Sequence, residues 1–545
     1  MHFPVWFQVD QKEQNMPDDG FNRTQTRSDE AIKKAESLDN SRLLDVHKWS
    51  EYREVNRAVD FLYSELKLDG HIEGLAKKHI KIVILDLYVC WLEDDTKWIM
   101  YHRGKTKYKG SSRYNKLHIS YRIVAVIDAL QERGYISHHL GFNHPNPKKS
   151  RVSRMRAGEP LIRLFRDTYS IPSSEIVKAP NTECIMVKKD NKRTKKKELI
   201  EYRDTPVINL LRRRLTKYNN LLFNTYIDSP QFPPEGVPYT FWNHKKKRMD
   251  TKYRKINPDE KFNWRVFNNI NLLQGGRYYG GWWQGLNSEW RSKIRINDNP
   301  VVEIDYSGIH IILLYANEGI DYWDQTNRDV YDLSLELKVK DDFREYIRAL
   351  GKLVVLTAVN AMNRAKAKSA IQKEINFNPD EYSWFKDLTN VDGKAITLDA
   401  VLDAFIYRHP NIEHYLFSNL GRELQNADAG IATQIIDTFT DEHIPVLCVH
   451  DSFLIEEQHL KYLNRTMDTV FKKDALVISL KNKKSLSSLY RAPRTKIKES
   501  SKIDTSSGTN INPLYALRLE EKRAMIAKSG YVNHYVARAH KYTKK

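Results

Sequence analysis

Helical and extended hydrophobic patterns alternate along most of this chain, and a polar stretch precedes them. Residues 1 to about 45 lack sustained periodicity, which predicts a loosely ordered leader. From residue 46 apolar positions recur at helical spacing, first in REVNRAVDFLYSELK, and the apolar run IKIVILDLYVCWL follows. ISYRIVAVIDALQERGYI places Ile123, Ile127 and Leu130 on one helical face and ends at Gly134, a natural helix stop. SHHLGFNHPNPKKSRVSRMR then reads as two extended pieces around a Pro/Asn turn, carrying Lys148, Lys149, Arg151, Arg154 and Arg156. An amphipathic helix followed by a basic hairpin is the pattern of a winged helix, whose helix enters a groove while the hairpin lies along phosphates. An ordinary helix and hairpin with a solvated basic edge fits the same pattern.

A second basic hairpin is expected in IMVKKDNKRTKKKELIEY, and a helix in DTPVINLLRRRLTKYNNLLF. There Leu211, Leu215, Tyr218 and Leu222 form the packing stripe, while Arg212, Arg213 and Arg214 wrap to the other side, where they can track phosphates. NHKKKRMDTKYRKINPDEK repeats the theme of cations interleaved with tyrosine, a composition also common in solvated loops. From about Ser485 the chain is rich in Lys, Arg and Ser, which predicts a flexible basic tail with one helical patch near LYALRLEEKRAMIAK.

Composition narrows the partner. A chain of 545 residues is long enough for several domains, and its formal net charge of +20 suits a protein that works against phosphates. The alternative is a basic tail on a neutral enzyme, but Lys and Arg also cluster well inside the sequence. The three cysteines, Cys90, Cys184 and Cys448, are too far apart for a disulfide framework or paired metal ligation. No apolar run approaches the roughly 18 residues of a membrane span. A cytoplasmic protein is the expectation.

Three segments carry chemistry. In PVVEIDYSGIHIILLYANEG a β-branched run delivers Asp305 at a strand end, with a helical pattern immediately after. A carboxylate there either caps the helix or holds a divalent cation. In IPVLCVHDSFLIEE extended runs flank His450 and Asp451, which reads as the tip of a hairpin. Strand-forming neighbours speak against the helical His-Asp pair of metal phosphohydrolases. Two such strand ends side by side can bridge two Mg2+ ions about 4 Å apart, the clamp of in-line phosphoryl transfer. Between them, FREYIRALGKLVVLTAVNAMNRAKAK sets Arg348 and Lys352 four apart on one helix face, with Arg344 before them, able to grip a triphosphate.

In this order the segments resemble the palm and fingers of family A DNA polymerases and the related single-subunit phage-type RNA polymerases. DYSGIH is similar to the family's first acidic motif and VHDSF to its third. The Arg348 and Lys352 helix is similar to the fingers helix that binds the incoming nucleotide. DVYDLSLE, AFIYRHPNIEHYLF and ELQNADAGIATQII fall in the expected order, and QGGRYYGG, with Arg277, resembles the segment that opens the palm in the RNA polymerases. The likeness covers roughly residues 265 to 475. It implies metal ligation by Asp305 and Asp451, with His450 near the primer terminus and Tyr306 in the nucleotide site.

The departures bear on the sugar. The glutamate that gates the ribose 2′ hydroxyl, five residues after the first aspartate, is here His310; the Tyr-Gly that follows the fingers lysine is Asn360-Ala361. The resemblance therefore leaves dNTP and NTP both open, with a lean to DNA synthesis. No upstream Asp-x-Glu pattern stands in the setting of a proofreading exonuclease.

The expected fold class is α+β: a right-hand polymerase with an antiparallel palm sheet and helical fingers, after a mostly helical winged-helix-like region. The expected division is a leader at 1–45, the winged-helix-like domain at 46–175, a basic hairpin and thumb-like region at 176–260, palm and fingers at 261–480, and a flexible tail at 481–545. Expected partners are a DNA template or primer-template duplex, dNTP or NTP, and two Mg2+ ions or Mn2+ in their place, with the protein a monomer. Two other classes fit parts of the pattern: a non-catalytic winged-helix replication initiator or regulator, and a metal-dependent nuclease.

Overall fold

The computed structural model describes residues 38–481 except 69, 109, 146–149, 192–195 and 244–247, together with 491–498, 515 and 518–520. The chain is mixed α and β with mostly antiparallel strand pairing, and it divides into two compact units. The first comprises residues 1–183 and 255–260, the second residues 184–254 and 261–545. The first boundary thus lies later than the expected end at 175, and most of the expected thumb-like region belongs with the second unit.

In the first unit the apolar run becomes the helix Glu73–Glu93, too long and too evenly apolar for a strand, and buried on nearly every side from Ile80 to Cys90. Its charged members are paired, as burial requires. Asp86 binds Arg42 at 2.7 Å, and Lys81 Nζ donates to the Ser50 carbonyl and to Asn56 Oδ1. The helix Ile123–Glu132 buries Ile123, Ile127 and Leu130 completely and stops at Gly134, whose φ is +73°. The expected hairpin follows, Ile136–His139 against Ser153–Ala157, and the second of these strands also pairs with Trp98–Tyr101.

That hairpin is less cationic at its surface than its sequence promises. Arg154 is only 8 % exposed, and its guanidinium donates to the Leu38 and Val152 carbonyls, which takes it out of the set able to meet a phosphate. Arg151 lies 3.4 Å from Asp39, and Arg156 stacks over Trp98. Lys148 and Lys149 lie outside the described residues.

Beside a four-stranded sheet of Gly275–Tyr279, Trp264–Phe267, Ile185–Asp190 and Lys197–Leu199 and a two-stranded ribbon, the second unit holds a six-stranded sheet. Its strands are β1 (Ile227–Asp228), β2 (Arg295–Ile296), β3 (Asn299–Tyr306), β4 (Leu447–Val449), β5 (Ser452–Glu456) and β6 (Thr495–Lys498). They run in the order β4-β5-β3-β2-β1, all antiparallel, and β6 pairs with β3 beyond the end of β2. β6 departs from the expected flexible tail. Residues of that segment add a strand to β3, with Lys496 opposite Asp305, because the exposed Glu303–Tyr306 edge offers unpaired backbone groups.

Among the helices of this unit are α1 (Pro206–Phe223), α2 (Ile309–Asn317), α3 (Arg344–Asn360), α4 (Gly421–Asp441) and α5 (Leu460–Lys481). α1 begins where expected, capped by Thr205, whose hydroxyl accepts from the Ile208 amide, with Pro206 in its first turn. Leu215, Tyr218 and Leu222 are buried, and the Tyr218 hydroxyl donates to the Val446 carbonyl just before β4. Strand alternation along β3 sends Ile304 and Tyr306 to one face and Glu303 and Asp305 to the other. The expected hairpin of this unit forms, Ile185–Asp190 with Lys197–Leu199, and Val237–Asn243 pairs with Arg248–Arg254 in a further hairpin where the cation-rich sequence read as a solvated loop.

Candidate active site

Asp305 stands next to last in β3, and Asp451 in the two-residue turn that joins β4 to β5. Register brings them together. Asp305 lies opposite Ser452, and the Tyr306 amide approaches the Asp451 carbonyl at 3.4 Å. The turn is tight enough to force His450 to a φ of +62°, a region that costs a side-chain-bearing residue free energy and that recurs at functional positions. β4 is pinned where it enters the turn: Trp283 Nε1 and Gln284 Nε2 both donate to the Cys448 carbonyl.

The charge of Asp451 bears on Asp305. Burial and then the Asp451 charge push the Asp305 carboxyl up to about 7, with Lys352 and Lys498 pulling the other way. Such a pair is held at an electrostatic cost that a divalent cation would relieve. Among the described residues no group of three or more metal-ligating side chains occurs. Two carboxylates are nevertheless the donor set that Mg2+ takes from a protein when water and substrate phosphates complete its shell. The residues present fit that ion.

α3 brings the cations. Arg348 donates to Asp329 at 3.0 Å and approaches Ser307 Oγ at 3.5 Å, two residues beyond Asp305, while stacking over Tyr331. Lys352, one turn on, bears electrostatically on Asp305. Arg344 binds Asp332. Gly351 makes the approach of the helix possible, since a β-carbon there would stand 2.3 Å from the Tyr331 carbonyl oxygen. Tyr331 is buried, and burial together with the charges of Asp451 and Asp329 raises its phenol above the ordinary range.

A second cluster borders the pair. Arg277, on the strand Gly275–Tyr279, binds the Asp428 carboxylate through Nε and Nη2, and His310 Nε2 lies 2.8 Å from Asp428 Oδ2. Although burial opposes it, Arg277 and His310 hold the Asp428 carboxyl down at about 2. His450 packs edge-on against Tyr279, and burial followed by the Arg277 charge pushes its imidazole down to about 4. It is therefore a neutral ring at neutral pH.

Sequence reasoning missed Asp428. The available signal was an acid on the buried stripe of α4, at helical spacing with Leu424, Ile431 and Ile435, since a lone carboxylate on such a stripe needs a cation opposite. Asp329 and Tyr331 were missed as site members too, although DVYDLSLE was singled out.

Other expected site residues lie elsewhere or face away. The Tyr306 side chain is buried, with its ring near Phe471 and its hydroxyl on the Met467 carbonyl, both on α5, so only its backbone remains for a nucleotide. Asn360 ends α3 against Gly421 at the start of α4. On α1, Arg212 binds Asp204 at 2.9 Å, Arg214 binds Asp437 at 3.1 Å, and Arg213 is exposed. A groove of about 980 Å³ between α1, the loop 270–273 and α4 is lined by Arg214, Arg265 and Asn426 but by neither aspartate.

No protein-family model matches the sequence, and no curated protein matches it. Among solved structures, the chain matches the POL domain of Pol1 from M. smegmatis in complex with DNA primer-template and dNTP, at 13 % identity and a TM-score of 0.23. The match covers 53 % of this chain and 51 % of that one, so the chain spans about half the length of the structure it matches. A superposition that loose carries no weight for fold or function. Among the described residues no helix is long and apolar enough to cross a membrane.

Proposed function

We propose that the protein is a template-directed nucleotidyltransferase, a DNA polymerase without proofreading, that extends a 3′ hydroxyl with nucleoside triphosphates. The observation that carries this reading is the pair Asp305 and Asp451, brought together by strand register, with Lys352 bearing on Asp305. Asp305 and Asp451 would hold two Mg2+ ions, or Mn2+, which when bound supply charge neutralisation at the attacking and leaving oxygens.

The remaining work falls to side chains. Lys352 and Arg348 meet the triphosphate; Arg348 trades its bond to Asp329 for the phosphates, so that Asp329 holds the cation in place before substrate arrives. Gly351 and Tyr331 set how closely that helix approaches the carboxylates. Neutral His450, fixed by the turn and by Tyr279, lies beside the primer terminus as a hydrogen-bonding group. Base pairing supplies sequence choice. The strand Trp98–Tyr101 pairing with the helix-hairpin of the first unit supports a winged-helix role in holding template duplex, with Arg151 as a contact; in the second unit the exposed Arg213 is a separate candidate contact to phosphates.

A specific observation favours RNA synthesis or priming as the second reading. His310, at the family's sugar-gating position, is engaged with Asp428. Primer extension distinguishes these outcomes, run on primed and unprimed templates with dNTP and with NTP beside the Asp451→Ala protein. Metal-dependent incorporation by the parent alone supports the reading. Equal incorporation by both, or none on any template with either sugar, overturns it.

A further inference from the structure

The hairpin Val237–Asn243/Arg248–Arg254 is a two-stranded ribbon of seven paired positions, and of its fourteen residues only Val237 is buried. Two-stranded ribbons are marginal in water unless something packs on them. This one instead presents two contrasting faces, as strand alternation and register require. On one lie Tyr239, Phe241 and Asn243 opposite Lys252, Asp250 and Arg248, with Arg254 at the base. Lys252 stands over Phe241 at 4.9 Å and Arg254 over Tyr239 at 5.3 Å, so the rings hold the cations up from the backbone. Arg248 bonds Asp250 at 3.0 Å with two thirds of its side chain exposed. The other face carries Pro238, Thr240, Trp242, Met249, Thr251 and Tyr253, with Tyr253 57 % exposed. Among the described ribbon residues three cations, Arg248, Lys252 and Arg254, stand against one carboxylate, Asp250.

We propose that this ribbon is a duplex-gripping arm that enters the major groove of double-stranded DNA, its cationic face along the phosphates and its Trp242 and Tyr253 face against the groove. Charge names the class of partner: a surface this basic, interleaved with aromatic rings, complements a polyanion that also offers flat apolar surface. Dimensions choose duplex over single strand. A two-stranded ribbon fits a major groove about 12 Å wide, and seven residues at about 3.3 Å each reach roughly 23 Å, enough to cross it from backbone to backbone. The Arg254 guanidinium donates to the Gly285 carbonyl, which anchors the base of the arm within the second unit. The inference rests on the polymerase reading only in taking duplex as the substrate, and binding without chemistry separates the two.

The test is fluorescence anisotropy on the full chain in EDTA, with a labelled duplex and the matching single strand from 50 to 200 mM salt. For Arg248→Gln/Lys252→Gln the expected result is duplex affinity at least about tenfold weaker and a salt slope shallower by about 2, from two lost phosphate contacts, with single-strand affinity little changed. Trp242→Ala should weaken duplex alone. In the unmutated protein, duplex should protect Arg248 and Lys252 from trypsin, a readout that needs no variant to fold. Duplex affinity and slope within twofold of the parent, equal losses for both ligands, or trypsin cleavage indifferent to duplex would each overturn the proposal. Incorporation measured separately tells a failed arm on a working polymerase from a DNA-binding arm on a protein that does not polymerise.

Discussion

His310 Nε2 lies 2.8 Å from the Asp428 carboxylate, and Asp428, also gripped by Arg277, is only 1 % exposed. Removing the charge at the centre of this cluster leaves Arg277 nearly buried without compensation. Breaking a buried pair from one side typically costs about 3–5 kcal/mol. Asp428→Asn, which keeps shape and one acceptor, should lose at least about 2 kcal/mol in urea unfolding. A loss within about 0.5 kcal/mol, the scale of a surface substitution, would show that the cluster does not hold the strand Gly275–Tyr279 to α4.

Gly351 offers a test of the cationic helix that leaves every charge in place. A methyl group there meets the Tyr331 carbonyl oxygen, a backbone atom that cannot swing aside, so α3 must shift by an ångström or more. Overpacking of this kind costs about 1–3 kcal/mol. Gly351→Ala should therefore fold and bind DNA, yet raise the nucleotide KM at least about tenfold, because Lys352 and Arg348 move off the phosphates. An unchanged KM would disconnect the helix from the nucleotide.

His409 sets an acid limit on stability. Its ring is fully buried; the Tyr315 hydroxyl donates to Nδ1 and Nε2–H donates to the Val330 carbonyl, an arrangement that requires the neutral form. Burial, then the Arg408 charge, pushes its imidazole from 6.5 down to about 3. The unfolded chain therefore binds a proton that the folded chain does not between those pH values. Stability from this residue is complete above about pH 6.5 and falls as pH drops toward 3, at up to about 1.4 kcal/mol per pH unit. In His409→Gln the fall in unfolding free energy between pH 6.5 and 5 should shrink by about 1–2 kcal/mol. Parallel pH profiles for parent and variant would contradict this.

Local pattern made the helices legible: the stripe of Ile123, Ile127 and Leu130 is buried as read, and in the stripe of Leu211, Leu215, Tyr218 and Leu222 all but the half-buried Leu211 are. The strand end at Asp305 and the turn at Asp451 were legible because β-branched runs flank them. Long-range partners were not. Nothing within α4 says which cation faces Asp428, and nothing within QGGRYYGG says that Arg277 turns inward, since both depend on how distant elements pack. The inward face of Tyr306 was readable by counting alternation along β3, but resemblance pointed to the nucleotide instead. The return of Thr495–Lys498 to β3 was hidden by composition, because lysine-rich segments read as tails even where one edge of a sheet needs a partner.

That return has a consequence for activity. β6 sets Lys496 opposite Asp305 and brings Lys498 Nζ to 3.5 Å from Glu303, while the Arg494 carbonyl accepts the Ser307 amide at 2.8 Å. A chain ending at residue 490 should lose this support for the strand end that carries Asp305. Its melting temperature should fall by several degrees and its incorporation rate by at least about tenfold, the scale of 1.4 kcal/mol on a barrier. Full activity in the truncated protein would make β6 dispensable.

The claim that Asp305 and Asp451 together perform metal-dependent nucleotidyl transfer is tested most directly by single-turnover incorporation of one nucleotide into a bound primer-template, parent against Asp305→Asn and Asp451→Asn, with DNA affinity measured in parallel. Each variant should bind DNA within about threefold of the parent and lose at least about 10³-fold in rate, roughly 4 kcal/mol of barrier. Incorporation by either variant at a rate near the parent's, with Mg2+ present, would contradict the account.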